Sequence, residues 1–426
     1  MMSLHGYEGA EAELGKPDTG GQVVFVLELS RHLAGLGYRV DIVTRRFERQ
    51  PANERITDLV SVWRVPFGGR DFIRKEDMHD HLGEFVGRFL ADSRVERRRY
   101  DAVLTHYWDA GWAGQRIAEE LRLPHIHTPH SLGSWKRNDM AKSGDDLSTY
   151  RFEERTRKEF LVYRLCDHLI ATTQQQVELL VDDYEVPRAR LSMIPPGIDE
   201  SVYTPVPMAE VRRLRARLGF GPDDVYAVGR AAANKGYDLL IRCLPELRRL
   251  VPDVRLQLAV GADSARDRRL VSRWSKTAAD LGMADAVEWR GYVPDGDMAS
   301  HYRAAPVFAL PSRYEPFGMT AVEAMACGTP TVVTIHGGLQ DHVQFGRDAL
   351  WADPGRSVEF ASVLSLPLRY ERLRQQLSVE GSRTARAEFG WRGIAKRTAS
   401  VVERIRDEHS RRQLPDQGPV APEGDA

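Results

Sequence analysis

Ile194-Pro195-Pro196-Gly197 separates two series of alternating strand and helix patterns. Two prolines and a glycine end a strand and cannot continue a helix, so a domain boundary is expected here. Upstream, short β-rich runs lie at 40–44, 102–106, 125–128, 169–173 and 191–194. Downstream they recur at 225–229, 254–261, 287–292, 307–311 and 331–335. Between them, 23–36, 174–183, 237–250 and 320–327 carry apolar residues at helical i, i+3, i+4 spacing. Such alternation predicts an α/β protein with parallel sheets, and two series of similar size predict two Rossmann-like domains.

The expected limits are 1–195 for the first domain and 196–388 for the second. A last helix, 389–412, is expected to cross back to the first domain. The tail 413–426 has too little apolar content to pack and is expected to be disordered. The start is short: Met1, Met2 and Leu4 precede Gly6 where a first Rossmann strand usually supplies about five apolar residues. Either that strand is a stub or translation begins upstream; an upstream start is the expectation.

The 426 residues hold 60 basic and 61 acidic side chains, a net charge of −1 that argues against nucleic acid or an anionic membrane as the main partner. There is no apolar run long enough to span a bilayer and no secretory signal pattern, so a cytoplasmic protein is expected. Cys166, Cys243 and Cys327 are too few and too scattered for a disulfide framework or a zinc site. Eight of the 60 basic residues are lysine, as a GC-rich genome would give. Four of these eight, Lys16, Lys75, Lys136 and Lys235, fall inside Gly-, Asn- or Ser-bearing motifs, where an ammonium and a guanidinium are not interchangeable.

Lys16-Pro17-Asp18-Thr19-Gly20-Gly21-Gln22 precedes an amphipathic helix. It reads either as a loop that lets a ligand approach the backbone or as an ordinary Asp/Thr cap with turn glycines. It is neither GxGxxG nor a Walker loop. Gly229-Arg230-Ala231-Ala232-Ala233-Asn234-Lys235-Gly236 follows a strand and precedes a helix, so Arg230 and Lys235 can converge on one phosphate at the helix mouth. Glu315-Pro316-Phe317-Gly318 is followed by Glu323, eight residues after Glu315. Eight helical residues rise about 12 Å, beyond the reach of a hydrolytic carboxylate pair but suited to hydroxyls at two ends of an extended ligand.

Thr105-His106-Tyr107-Trp108-Asp109 and His125-Ile126-His127-Thr128-Pro129-His130-Ser131 close strands at the ends where open α/β sheets place ligands. His125 and His127 alternate with Ile126 on a buried strand with no completing ligand, so His130 is the functional candidate and no metal is expected. Asp295-Gly296-Asp297 matches a DxD metal pattern but reads better as a turn, with Asp297 capping a helix from 298.

In order and spacing, Asp-Thr-Gly-Gly-Gln, Gly-Arg…Asn-Lys-Gly and Glu-x₇-Glu resemble the retaining GT-B glycosyltransferases of the sucrose-phosphate synthase group over residues 3 to 405. Within that group Gly68–Ile73, His106–Gly111, Thr128–Lys136 and Arg313–Gly338 look most like the mannosylfructose-phosphate synthases. Sucrose-phosphate synthases usually carry alanine at Trp108, glycine at Pro129 and Lys-Asn-Gly-Gly-Pro at 335–339. The resemblance implies two Rossmann-like domains facing each other across a cleft. It also implies transfer of mannose from GDP-mannose to fructose 6-phosphate, with retention and without metal or other cofactor. The alternative donor is UDP-glucose, giving a sucrose-phosphate synthase. A pyridoxal-dependent phosphorylase, an epimerase and a sugar-nucleotide sensor are rivals of other classes.

By the same resemblance, Arg230 and Lys235 hold the leaving diphosphate, Glu323 the ribose and Glu315 a donor-sugar hydroxyl. Amides near Phe317 and Gly318 place that sugar, with His130 beside its anomeric carbon. Gly20, Gly21 and Gln22 cover the donor–acceptor junction, and Lys75, Tyr107, Ser131, Lys136 and Arg155 take the acceptor phosphate. Lys16 matches no role. A phosphorylated product leaves coupling to a separate sugar phosphatase open.

Overall fold

The computed structural model describes residues 1–9, 18, 21–142, 147–148, 150–262, 264–315 and 317–413. Lys16, Gly20 and the tail expected to be disordered, beyond residue 413, lie outside the described residues. The chain divides into two compact units, Met1–Ile194 with the chain from Ile394 onward, and Pro195–Gly393.

The first unit contains strands β1 (Val40–Arg46), β2 (Asn53–Arg55), β3 (Val60–Pro66), β4 (Val103–His106), β5 (His125–Thr128), β6 (His168–Ala171) and β7 (Leu191–Met193). They form two ribbons, β1-β3-β2 and β4-β5-β6-β7, parallel throughout except for β2 against β3. The stub at the start joins them: Met2 bridges Val43 of β1 and Thr105 of β4, both in parallel register. The Met2 and Ser3 N–H groups donate to Leu104 and Val43 carbonyls at 2.8 and 3.1 Å. Three residues thus stand where a longer first strand was expected, anchored by the buried Met2 and Leu4.

The second unit contains β8 (Val225–Arg230), β9 (Leu256–Gly261), β10 (Val287–Trp289), β11 (Val307–Leu310), β12 (Thr331–Thr334) and β13 (Leu350–Ala352). All are parallel, in the order β10-β9-β8-β11-β12-β13. Val307 and Val332, on neighbouring strands, point into one apolar core and Phe308 and Val333 into the other. Burial of both faces explains the near-continuous apolar runs. The strand order reverses between β8 and β11, and loops at such a switch point bind ligands in open α/β sheets.

The last helix, Trp391–Gln413, belongs to the first unit from Ile394 onward. There Glu403 accepts from the Tyr38 hydroxyl, and His409 contacts Asp167 at 3.4 Å. The three cysteines are free and buried.

Candidate active site

In the second unit, β8 delivers Arg230 and β11 delivers the loop that begins at Pro311. The two loops touch at Gly236, whose φ of +68° lies in the left-handed region and where a Cβ would come within 1.9 Å of the Pro311 carbonyl oxygen. Arg313 staples them further. Its N–H donates to Asn234 O at 2.8 Å, and its guanidinium grips Asp238 through two bonds of 2.7 and 2.5 Å.

This docking sets Lys235 Nζ 2.6 Å from Glu315 Oε2, an oxygen that also accepts from Ser312 Oγ at 3.0 Å. The Glu315 backbone is tied in turn to His336 O and the Gly338 N–H. Arg230 is exposed, with no ion pair among the described residues. The sequence aimed both cations at one phosphate; in the structure Lys235 is held by a carboxylate and Arg230 stands open.

Phe317 is buried, its ring against His342 and Phe389 at 5.6 and 5.4 Å, so only its backbone is available to a ligand. Gly318 adopts φ +97° and caps the helix Met319–Ala326. Glu315 therefore precedes that helix, and the 12 Å helical rise expected between the two glutamates does not apply to them. Glu323 Oε2 accepts from Tyr302 OH at 2.8 Å. Burial lifts its carboxyl to about 7, with Asp295 adding and the Tyr302 bond opposing. Asp295 and Asp297 both lie in the first turn of the helix Asp295–Ala304. That helix starts at Asp295 after Pro294, so Asp297 is not its cap.

In the first unit the candidate residues lie at the carboxyl ends of β4 and β5. Tyr107 (φ +74°) and His130 (φ +57°) are non-glycine residues in left-handed conformations, as is Asp18 (φ +53°). Such strain persists where surrounding structure enforces it, and it gathers at functional sites. His130 Nε2 lies 3.0 Å from His106 Nδ1, and its ring meets Phe25 edge-on at 4.9 Å. Burial lowers the His130 imidazole to about 3, so it is neutral near pH 7.

Lys75 donates to Asp18 through both its backbone N–H and its ammonium. Burial would lower that ammonium, but Asp18 outweighs it and the net shift is upward. Arg155 is buried and committed: Nε to Glu159 at 2.7 Å, one terminal nitrogen to Tyr107 OH at 2.8 Å, the other to Ser131 O and Oγ at 2.9 Å each. It braces Tyr107 and Ser131. Lys136 has no carboxylate partner among the described residues, and its ammonium lies 5.0 Å from the Tyr150 ring centroid. Burial, then Arg155 and Lys75, lower it to about 8.

Gln22 Nε2 donates to Ser3 Oγ at 2.9 Å and reaches toward His106 O at 3.5 Å. Gly21 opens the helix Gly21–Ala34 and has free space where a Cβ would stand. The other strand histidines share Thr105 Oγ1, at 2.7 Å from His125 and 2.8 Å from His127, inside the core. Trp108 is buried in the first unit, stacked on His79 at 4.0 Å. His106, Asp18, Glu159 and Tyr302 were not singled out by sequence reasoning. The partners of His106, Asp18 and Tyr302 lie 21 to 57 residues away, which no local spacing encodes; Glu159 also has a local partner, Arg155 at i−4, beside the distant Tyr184. Among the described residues no group of three or more His, Cys, Asp or Glu could hold a metal ion, and no helix is long and apolar enough to cross a membrane.

A parallel sheet with a switch point in the second unit, and a polar cluster at the carboxyl ends of β4 and β5 in the first, fit a GT-B architecture, and the chain belongs to the group 1 glycosyltransferases of that fold. The model described as "Glycosyl transferases group 1" matches residues 212–383, and "Glycosyltransferase Family 4" matches residues 19–202. The chain is 46% identical over 410 residues to the mannosylfructose-phosphate synthase of Agrobacterium fabrum, covering 95% of this chain and 90% of that one. It is 34% identical over 375 residues to a D-inositol 3-phosphate glycosyltransferase of Thermobifida fusca, covering 86% and 85%. Among solved structures it resembles a sucrose-phosphate synthase from Thermosynechococcus elongatus, with TM-score 0.78, 28% identity and coverage of 96% and 98%.

Proposed function

We propose that this chain is a cytoplasmic, metal-independent hexosyltransferase. In this reading it moves mannose from GDP-mannose to fructose 6-phosphate with retention, giving mannosylfructose 6-phosphate. The observation that carries the acceptor half is Lys136: a half-buried ammonium beside Lys75 and the Arg155-braced Tyr107 and Ser131, in ion-pair contact with no carboxylate among the described residues, while Glu76 and Asp18 act on it only from farther off. Keeping such a cation out of water is costly unless an anion completes it, and a sugar phosphate supplies that anion. All three relatives carry a phosphorylated polyol in their names. GDP-mannose rests on the 46% identity to a mannosylfructose-phosphate synthase.

On the donor side, Arg230 and Lys235 take the diphosphate, Glu323 the ribose and Glu315 a sugar hydroxyl. Gly318 and the Phe317 backbone cradle the sugar. Gly20, Gly21 and Gln22 cover the reacting groups, and His130 serves as a neutral hydrogen-bonding group at the anomeric carbon. Bond breaking builds positive charge on the sugar and negative charge on the departing diphosphate, so preorganised cations are the largest help available. The departing phosphate takes the acceptor proton, and no carboxylate nucleophile is required. The phosphorylated product is then a substrate for a separate sugar phosphatase.

The test is nucleotide release with fructose 6-phosphate or fructose, offering GDP-mannose, UDP-glucose, ADP-glucose and GDP-glucose in turn. GDP release from GDP-mannose that requires the acceptor phosphate, with a raised acceptor KM in Lys136→Ala, is expected. Turnover confined to UDP-glucose would make the enzyme a sucrose-phosphate synthase. An unchanged acceptor KM in Lys136→Ala would overturn the acceptor pocket.

A further inference from the structure

We infer that Tyr302 is a positioning residue for donor binding, orienting Glu323 and holding it in the form that accepts two hydroxyl hydrogen bonds. This rests on the assignment of Glu323 to the donor ribose. Tyr302 is fully buried, and its ring is clamped by Tyr203, Tyr226 and Phe308 at centroid distances of 5.6 to 6.1 Å. Its carbonyl accepts from Thr329 Oγ1 at 2.6 Å, which fixes the helix Asp295–Ala304 to the start of β12. The phenol therefore has one place to point, and there it meets Glu323 Oε2 at 2.8 Å.

An ionised carboxylate accepts hydrogen bonds at both oxygens, whereas a protonated one donates from one of them. A vicinal diol that donates to both oxygens consequently selects the ionised form. The surroundings oppose ionisation. The groups around Glu323 are Tyr302 and Asp295 on one helix, Tyr203 in the segment before Pro207, Tyr226 on β8, and Cys327 at the end of its own helix. Of these, Asp295 disfavours the charge, and the Tyr302 hydrogen bond favours it. A hydrogen bond to a charged group supports about tenfold or more in affinity.

The experiment is calorimetric binding of GDP and of UDP between pH 6 and 9 to the full chain and to Tyr302→Phe and Glu323→Gln, with donor KM and kcat beside it. In the unmodified protein, nucleotide binding should weaken as pH falls through about 7. In Tyr302→Phe, that midpoint should move up. Affinity near pH 7 should drop about tenfold or more while recovering to within about threefold by pH 9, and donor KM should rise with kcat changed less than threefold. Glu323→Gln should bind weakly and lose the pH dependence. A Tyr302→Phe profile that superimposes on the unmodified protein, with Glu323→Gln weakened, overturns the role of Tyr302 alone. Glu323→Gln binding nucleotide normally overturns the donor assignment, and the inference with it.

Discussion

Lys235 and Glu315 show what one side-chain contact implies. Their 2.6 Å pair is partly open to water, so its net contribution to folding is small, and its use is to aim the ammonium. In the function proposed above, a diphosphate arriving beside Arg230 adds a second anion to a cation already in place, and charge that grows on it during bond breaking meets a preset partner. Lys235→Ala is expected to lower kcat at saturating donor and acceptor by about 10²–10³-fold, the cost of removing one preorganised donor to a developing anion. A loss below fivefold would remove Lys235 from the chemistry. Lys235 was legible because lysine is scarce in this chain and this one sits in a glycine- and asparagine-bearing turn. Its carboxylate partner was legible as a motif but not as a partner, since 80 residues separate them.

At the scale of elements, the loops after β8 and β11 work as one piece because Gly236 has no side chain. Gly236→Ala places a methyl group on the Pro311 carbonyl and holds alanine at positive φ, a strain of about 1–3 kcal/mol before any steric overlap. The thermal midpoint of the second unit should fall by about 5 °C or more. A midpoint within 1 °C of the unmodified protein would show that the loops part freely. The alternation that predicted two parallel sheets was readable because strands buried on both faces are apolar throughout. β3 was missed because Arg64 interrupts its apolar run; that arginine is buried, and its terminal nitrogen donates to Glu54 and the Glu8 carbonyl, partners invisible to a local pattern. β2 and β13 were missed as well; β2, Asn53-Glu54-Arg55, carries no apolar residue to mark it. The short first strand was read as pointing to an upstream start; in the structure Met2 and Ser3 are hydrogen-bonded to neighbours on both sides.

For the whole molecule, acid tolerance is set by six histidines of the first unit. Burial lowers His125 and His130 to about 3, His79 and His168 to about 4, and His106 and His127 well below the ordinary value. An unfolded chain takes up protons at these rings near pH 6.5, and the folded one does not until far lower pH. Stability from this source is therefore complete above about pH 6.5 and is lost as pH falls below it. Glu8 acts in the opposite sense: burial raises it to about 8, so it costs stability as pH rises from about 4.5 to 8. Six groups outweigh one. Hydrogen exchange should show the first unit losing protection steeply between pH 6.5 and 5 while the second unit keeps its own, and equal losses in both would contradict this account.

The return of the last helix to the first unit also has a consequence for how the molecule is made. A ribosome completes the whole second unit, about 200 residues, after the body of the first has emerged and before its closing helix exists. At about 5–20 residues per second that interval is roughly 10–40 s. Throughout it the surface that will receive Ile394, Ala399 and Ile405 stands bare. The newborn chain thus carries a temporary apolar groove for as long as its second half is being written, and whatever shields that groove in the cell acts before the enzyme is finished.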